Sequence, residues 1–377
     1  MRGFLKEKWV LDVKEPVSTS PIILKEDKET NIFFGTETGK LYSITTKGHL
    51  RWVFETPQSK SFFEDKKKQI INKPLFVNKT RSIVFSSEGG LVHNISLDGK
   101  LKWVFETSEE IKGSPILNDE ELLIPSTNKI YFLNLEGNLK KELKTKHDIT
   151  TLSVYENKLF LGTKEGLIVA MSLEGKTFWT FKTNAPQLAR ITIEEDYKRS
   201  FLIVPSQDNH LYALSMDGEL LWSYETKGPL SSEAKISIIN RKKTIVFGSQ
   251  DNNVYLLTED GELLWSYETD FWIMADPVIN KGSNKSLIIV GSYDHHLYLL
   301  DAQGMFKLNC MPGLSSVVTQ SGSEISSLST EIGDEKGKLI DKLKTDSNII
   351  GCELLSKNEV LVLTKKGKLY NIEIDLS

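Results

Sequence analysis

A glycine followed four residues later by tryptophan recurs through this chain, at Gly48–Trp52, Gly99–Trp103, Gly175–Trp179, Gly218–Trp222 and Gly261–Trp265, and no other feature limits the fold so tightly. Gly137 keeps the spacing with Lys141 in the tryptophan's place, and Gly304 keeps it with Leu308. Counted from Trp9, the step between successive positions ranges from about 38 to 51 residues, so insertions sit in the loops of an otherwise regular unit.

Each unit carries the same internal grammar. An apolar, β-rich run comes first, such as Asn31-Ile-Phe-Phe-Gly-Thr36 or Thr244-Ile-Val-Phe-Gly-Ser249. A short polar turn and a second run follow, as in Leu41-Tyr-Ser-Ile44, Leu211-Tyr-Ala-Leu214 and Leu297-Tyr-Leu-Leu300. A glycine turn then leads into the tryptophan strand, which tends to end in Glu-Thr or Lys-Thr, while a further short strand such as Ser20-Pro-Ile-Ile-Leu24 lies upstream. Asp-Gly at 98–99, 217–218 and 260–261 supplies the positive φ that tight antiparallel hairpins need.

Four short strands form a sheet too small to cover both of its own faces, so the units must stack. Radial stacking into a propeller also protects the sheet edges. The second apolar run recurs to an eighth copy at Leu369-Tyr-Asn-Ile372, after which no tryptophan strand follows, whereas Trp9 arrives with no strands before it. Ring closure by the N-terminal strand accounts for both. The expected fold is therefore all-β, an eight-bladed β-propeller of four-stranded antiparallel blades, with residues 1–377 forming one domain. The weak stretch at 309–343, marked only by Gly337 and Asp341, is either a degenerate ninth blade or a long excursion.

Bulk properties narrow the function. Hydrophobic residues at 39% and charged residues at 26% suit a soluble globular chain with a core. A formal net charge of −4 gives no reason to expect nucleic acid, and the one dense basic run, Lys66 to Lys68, follows Glu64 and Asp65 as a solvated loop would. Only Cys310 and Cys352 are present, which leaves at most one disulfide; two unpaired thiols in a reducing compartment is the expected state. The N-terminus lacks an apolar signal core and no segment is apolar enough to span a membrane, so a cytoplasmic location is expected, or a periplasmic or extracellular one had a leader been removed. A monomer is expected.

Gly-x-x-x-Trp together with Leu-Tyr-Ala-Leu and a preceding Ser-Pro strand resembles the pyrroloquinoline-quinone-like propeller repeat, most clearly over 205–226. The resemblance covers nearly the whole chain. It also sets aside WD repeats, because Val, Thr or Ser follows the tryptophan here. The resemblance implies one of two kinds of function. Quinoprotein dehydrogenases of the family hold the quinone with calcium, an Asp base and often adjacent cysteines, whereas members similar to the barrel-assembly lipoprotein of bacterial outer membranes bind proteins. This chain departs from the first kind, since its two cysteines are far apart. In either kind Trp9, Trp52, Trp103, Trp179, Trp222 and Trp265 are implied to dock outer strands on the neighbouring blade.

In a propeller the turns between second and third strands share one face with the inter-blade links, so ligands meet residues there. Those turns include Gln207-Asp-Asn-His210, Gln250-Asp-Asn-Asn253 and Tyr293-Asp-His-His296, whose Asp and Asn residues equally suit tight turns. His295 and His296 are adjacent, which disfavours a shared metal. Exposed aromatics are the better lead: Phe62 and Phe63 in the long insert of the second unit, and Phe271 and Trp272 in a later link, outside the tryptophan register. Phe62, Phe63, Phe271, Trp272, Tyr293 and His295 are the candidate partner-binding residues. No nucleophile elbow or metal motif is present, and neither catalytic, cofactor nor metal residues are assigned. The sequence thus favours a non-catalytic scaffold for a protein or peptide partner; the rival is an oxidoreductase dependent on pyrroloquinoline quinone with calcium, or on another small molecule, over the central channel.

Overall fold

The computed structural model describes residues 4–26, 29–57, 69–70, 72–196, 200–282, 285–303 and 336–375. They form eight four-stranded antiparallel sheets. Numbered along the chain, blades 1 to 7 run over 22–55, 75–106, 116–144, 149–182, 192–225, 235–268 and 278–344. Blade 8 runs over 349–374 and takes Leu5–Asp12 as its outermost strand. Among the described residues no helix is long and apolar enough to cross a membrane.

The strand patterns follow from position in the ring. Second and third strands are covered on both faces by neighbouring blades and read as unbroken apolar runs: Thr30–Gly35 and Lys40–Thr45 in blade 1 are buried through their centres. Outer strands have one covered face and alternate, as in Leu50–Glu55. The core is accordingly divided into eight apolar clusters, one between each pair of adjacent blades. Residues 5 and 374 belong to the cluster between blades 7 and 8, so the ring is sealed by apolar packing as well as by strand pairing.

Closure keeps the repeat's finest detail. In every blade the third and outer strands slip by one residue just before the tryptophan position, for instance between Ser43 and Ile44 opposite Trp52. The N-terminal strand makes the same bulge between Glu7 and Trp9, with Trp9 facing Asn371 and Leu11 facing Leu369.

Each indole then reaches the next blade. The Nε1–H of Trp9, Trp52, Trp103, Trp179 and Trp222 donates to a carbonyl in the following blade's last turn at 2.9 Å, and that of Trp265 does so at 3.3 Å. The turn glycine lies flat under the ring: a Cβ on Gly137 or Gly218 would come within 2.5 Å of the indole of Trp103 or Trp179, and both glycines have φ above 80°. Lys141 replaces this tryptophan with an ammonium that donates to the Leu173 carbonyl at 3.1 Å and lies 4.2 Å from the Phe132 ring centre.

Blade 7 departs from the sequence reading. Its outer strand is Lys338–Lys344, so the tryptophan position is Asp341, opposite Leu299, and Gly337 packs under Trp265, while Gly304 lies outside the described residues. Leu308 lies outside the described residues. The reason Asp341 stands here is visible across the interface. In blade 8 no turn joins the third strand to the outer one, because the outer strand is the N-terminal one, and the Asp341 carboxylate accepts the Leu5 N–H at 2.8 Å instead.

One core position breaks the pattern differently. His93 stands where blades 1, 5, 6 and 7 carry Tyr42, Tyr212, Tyr255 and Tyr298. It is fully buried, stacked on Phe85 with Phe54 at its edge, and neither ring nitrogen has a partner among the described residues. Burial lowers its pKa to about 4.

Two predictions follow from the ring and its buried imidazole. Trp179→Ala is expected to lower unfolding free energy by about 2–4 kcal/mol and Asp341→Ala by about 1 kcal/mol, read from denaturant midpoints. For His93, the unfolded chain takes up a proton near pH 6.5 while the folded chain resists until about 4. Stability is therefore full above pH 6.5 and falls by about 3 kcal/mol as the pH drops to 4, with no further loss below. His93→Phe should remove this fall, and a variant whose pH profile matches the parent's would refute the assignment.

Candidate functional site

The face that carries the inter-blade links is built by three repeated contacts. In five blades the threonine closing the outer strand turns its hydroxyl inward: Thr226 Oγ1 donates to the carbonyls of Asn209 and Gly228, both at 2.8 Å, and Thr107, Thr183, Thr269 and Thr345 do the same. At these five positions the Glu-Thr and Lys-Thr endings of the sequence are thus latches between link and turn.

The turn aspartates are likewise engaged. Asp208, Asp251 and Asp294 accept the hydroxyls of Tyr212, Tyr255 and Tyr298 at 2.8, 2.7 and 2.5 Å. The same oxygens accept the backbone N–H of Asn184, Lys227 and Asp270 from the links. Burial and these carboxylates raise the tyrosine pKa values well above the usual range, so the phenols stay protonated donors. These turns are structural clamps, as their Asp and Asn content allowed.

The third contact reveals the exception. In all eight blades a backbone N–H at the start of the turn donates to a carbonyl of the preceding link at 2.9–3.1 Å. Seven of those acceptors are Pro16, Gln69, Glu110, Asp148, Pro186, Pro229 and Asn348; the eighth is Trp272, and its donor is Tyr293. The residue before Trp272 is Phe271, where the two preceding links have Ala185 and Gly228. The backbone therefore makes no demand for aromatics here, yet three of them gather at one point of the rim. Phe271 and Trp272 stack with ring centres 4.9 Å apart and remain 43% and 42% exposed. Ser292 fixes the base of the pair by donating to the carbonyls of both.

His295 continues this stretch of rim. It takes φ of 70°, its Nε2 lies 3.0 Å from Asn348 Oδ1, and its carbonyl accepts the Thr345 hydroxyl. His296 Nδ1 instead meets the Asp294 carbonyl at 3.0 Å, so the two imidazoles take separate partners. Among the six candidate residues the structure thus joins Phe271, Trp272 and Tyr293 and places His295 beside them. Phe62 and Phe63 lie outside the described residues, as does Cys310.

A second feature had no signal in the sequence, because its members come from different inner strands. A cavity of about 330 Å³ in the channel is lined by Lys73, Lys235, Asp276, Glu353 and Cys352, among others. Lys73 pairs with Glu353 at 2.9 Å, and Lys235 pairs with Glu233 at 2.8 Å and Asp276 at 3.8 Å. Burial works to lower the Lys235 pKa, but the carboxylates of Asp276 and Glu233 outweigh it and raise it. Burial raises that of Asp276. It also pushes the Cys352 thiol far up, which keeps it from acting as a thiolate nucleophile.

These residues do not fit a quinone cofactor with calcium. The channel carboxylates are committed to lysines, Cys352 has Gly351 and Glu353 as neighbours, and among the described residues no three metal-ligating side chains converge.

Comparison with known proteins agrees with this geometry. The family model for PQQ-type repeats, described as outer membrane protein assembly factor BamB, matches residues 138–304. Residues 138–304 of this β-propeller therefore resemble that repeat family. Among curated proteins the mouse beta-alanine-activating enzyme is 32% identical over 114 residues, which cover 28% of this chain and 10% of that enzyme. The chain thus matches about a tenth of the length of that relative. Among solved structures, BamB from Moraxella catarrhalis is similar to this chain with a TM-score of 0.69 at 14% identity, covering 98% of this chain and 99% of that one. The computationally designed Ika8 protein gives 0.70 at 13% identity, over 96% and 98%. Saccharomyces cerevisiae Sqt1 gives 0.70 at 12% identity, over 97% and 98%. At such identities the likeness establishes a shared propeller scaffold and nothing finer.

Proposed function

We propose that this propeller is a non-catalytic scaffold that binds a protein or peptide on its link face, centred on Phe271, Trp272 and Tyr293. The observation that carries the reading is the exposed Phe271–Trp272 stack at positions where other blades have Gly, Ala, Pro or polar residues. Large rings held outside the core give a partner apolar area to bury, and rings already stacked lose little freedom on binding. The description of the matching family as an assembly factor supports a protein partner. The channel residues support the absence of catalysis, since Lys73 and Lys235 are engaged with carboxylates and the only described thiol is held protonated.

The test is to recover partners from the native source with the full chain, identify them, and measure affinity for wild type and for Phe271→Ala/Trp272→Ala. The double variant is expected to weaken binding by about 30-fold or more, with its unfolding midpoint unchanged. A parallel Phe62→Ala/Phe63→Ala variant reports on the other aromatic pair. Equal affinity in the Phe271/Trp272 variant would remove these rings from the site. Thermal stabilisation by pyrroloquinoline quinone with calcium, together with dye reduction by sugars or alcohols, would replace the scaffold reading by the oxidoreductase one.

A further inference from the structure

The aromatic cluster does not stand alone on the rim. Tyr293 begins the turn that His295 ends, His295 meets Asn348 of the next link, and the Asn348 carbonyl accepts the N–H of Lys365 in the turn of blade 8. An unbroken path of contacts thus leads from Phe271 and Trp272 to a turn reading Lys365-Lys366-Gly367-Lys368. The outer strand of blade 7 enters the same path at Lys344, which pairs with His296 and precedes Thr345, the residue bonded to the His295 carbonyl.

Charges along this path do not cancel. Lys342 pairs with Asp270 at 3.5 Å, Lys368 with Asp346 at 4.0 Å, and Lys365 with Glu37. Lys344 and Lys366 are exposed, and among the described residues neither has a carboxylate within 4.0 Å. Five lysines (Lys342, Lys344, Lys365, Lys366 and Lys368) thus face Asp270, Asp294, Asp346 and Glu37 along the path, an excess of one positive charge on a chain whose net charge is −4. Since Asp294 is taken up by the Tyr298 hydroxyl and backbone N–H groups, Lys344 and Lys366 stay without a carboxylate partner among the described residues, on the same stretch of rim as the aromatic pair. Local excess opposite in sign to the whole marks a preference in what approaches.

Resting on the scaffold reading above, we propose that the partner segment is acidic and carries an aromatic or large aliphatic anchor: the anchor lies on Phe271 and Trp272, and carboxylates beyond it face Lys344 and Lys366. Single-stranded nucleic acid also combines stacking with cations. Here Asp270, Asp346 and Glu37 punctuate the path and would meet a continuous phosphate backbone with like charge, whereas a peptide can leave neutral residues opposite them.

The experiment uses the full chain and short fluorescein-labelled peptides read by anisotropy: one acidic with a central tryptophan, one basic with the same tryptophan, one acidic with alanine in its place, and a single-stranded oligouridylate. The acidic tryptophan peptide should bind most tightly, loosen as salt rises to about 0.3 M, and lose about tenfold in affinity both in Lys344→Glu/Lys366→Glu and in Phe271→Ala/Trp272→Ala. The charge-reversed variant should gain affinity for the basic peptide. Acidic and basic peptides binding wild type equally, or the acidic one indifferent to charge reversal, would overturn the acidic partner. If binding in that case still falls in the Phe271/Trp272 variant, the scaffold reading survives. No measurable binding of the acidic tryptophan peptide, or tighter binding of the oligouridylate, also overturns the proposal. Matching unfolding midpoints for all variants exclude misfolding as the cause.

Discussion

Blade-on-blade packing is the interaction on which the rest of this molecule depends. A sheet of four short strands has two apolar faces and no means of hiding either, so each blade is stable only between two others. The eight clusters that result form a closed series, and its last joint is made by strands from opposite ends of the chain. Because apolar burial is indifferent to register, finer contacts must set it. The tryptophan lying on the next blade's glycine does so, with a one-residue bulge that aims the ring and a carbonyl that receives its N–H.

Departures from the repeat are intelligible against that constraint. Lys141 keeps the hydrogen bond and replaces the indole's contact with its own chain lying on Phe132. Asp341 stands where the neighbouring blade offers a strand's N–H in place of a turn. His93 fills the space of a tyrosine with no partner for its nitrogens among the described residues, which makes blade 2 sensitive to acid. Phe271 and Trp272 differ from these. They compensate for nothing in the fold, and their stacked rings stay 43% and 42% exposed.

The two faces of the question of function therefore separate. The channel is a place of internal pairing, where lysines of blades 2 and 6 meet carboxylates of blades 8 and 7, and such pairs fix the inner strands at a desolvation cost. The rim between blades 6 and 8 is a place of surplus, in apolar area and in positive charge.

The sequence by itself determined the class, the blade count, the closure and the tryptophan positions, because each is a local pattern repeated often enough to be read against itself. It also marked Phe271, Trp272, Tyr293 and His295, since residues outside the register of a repeat are conspicuous. It left open what Gly337 and Asp341 belong to, an extra blade or an excursion, for the pattern there is one weak copy whose meaning lies in what Trp265 touches. Only the tertiary structure brought Tyr293 to Trp272, set Lys344 and Lys366 on the same path, and paired Lys73 with Glu353, which are 280 residues apart in sequence. Those contacts join different blades, and a periodic sequence specifies what each blade contains far better than which individual side chains meet across the ring.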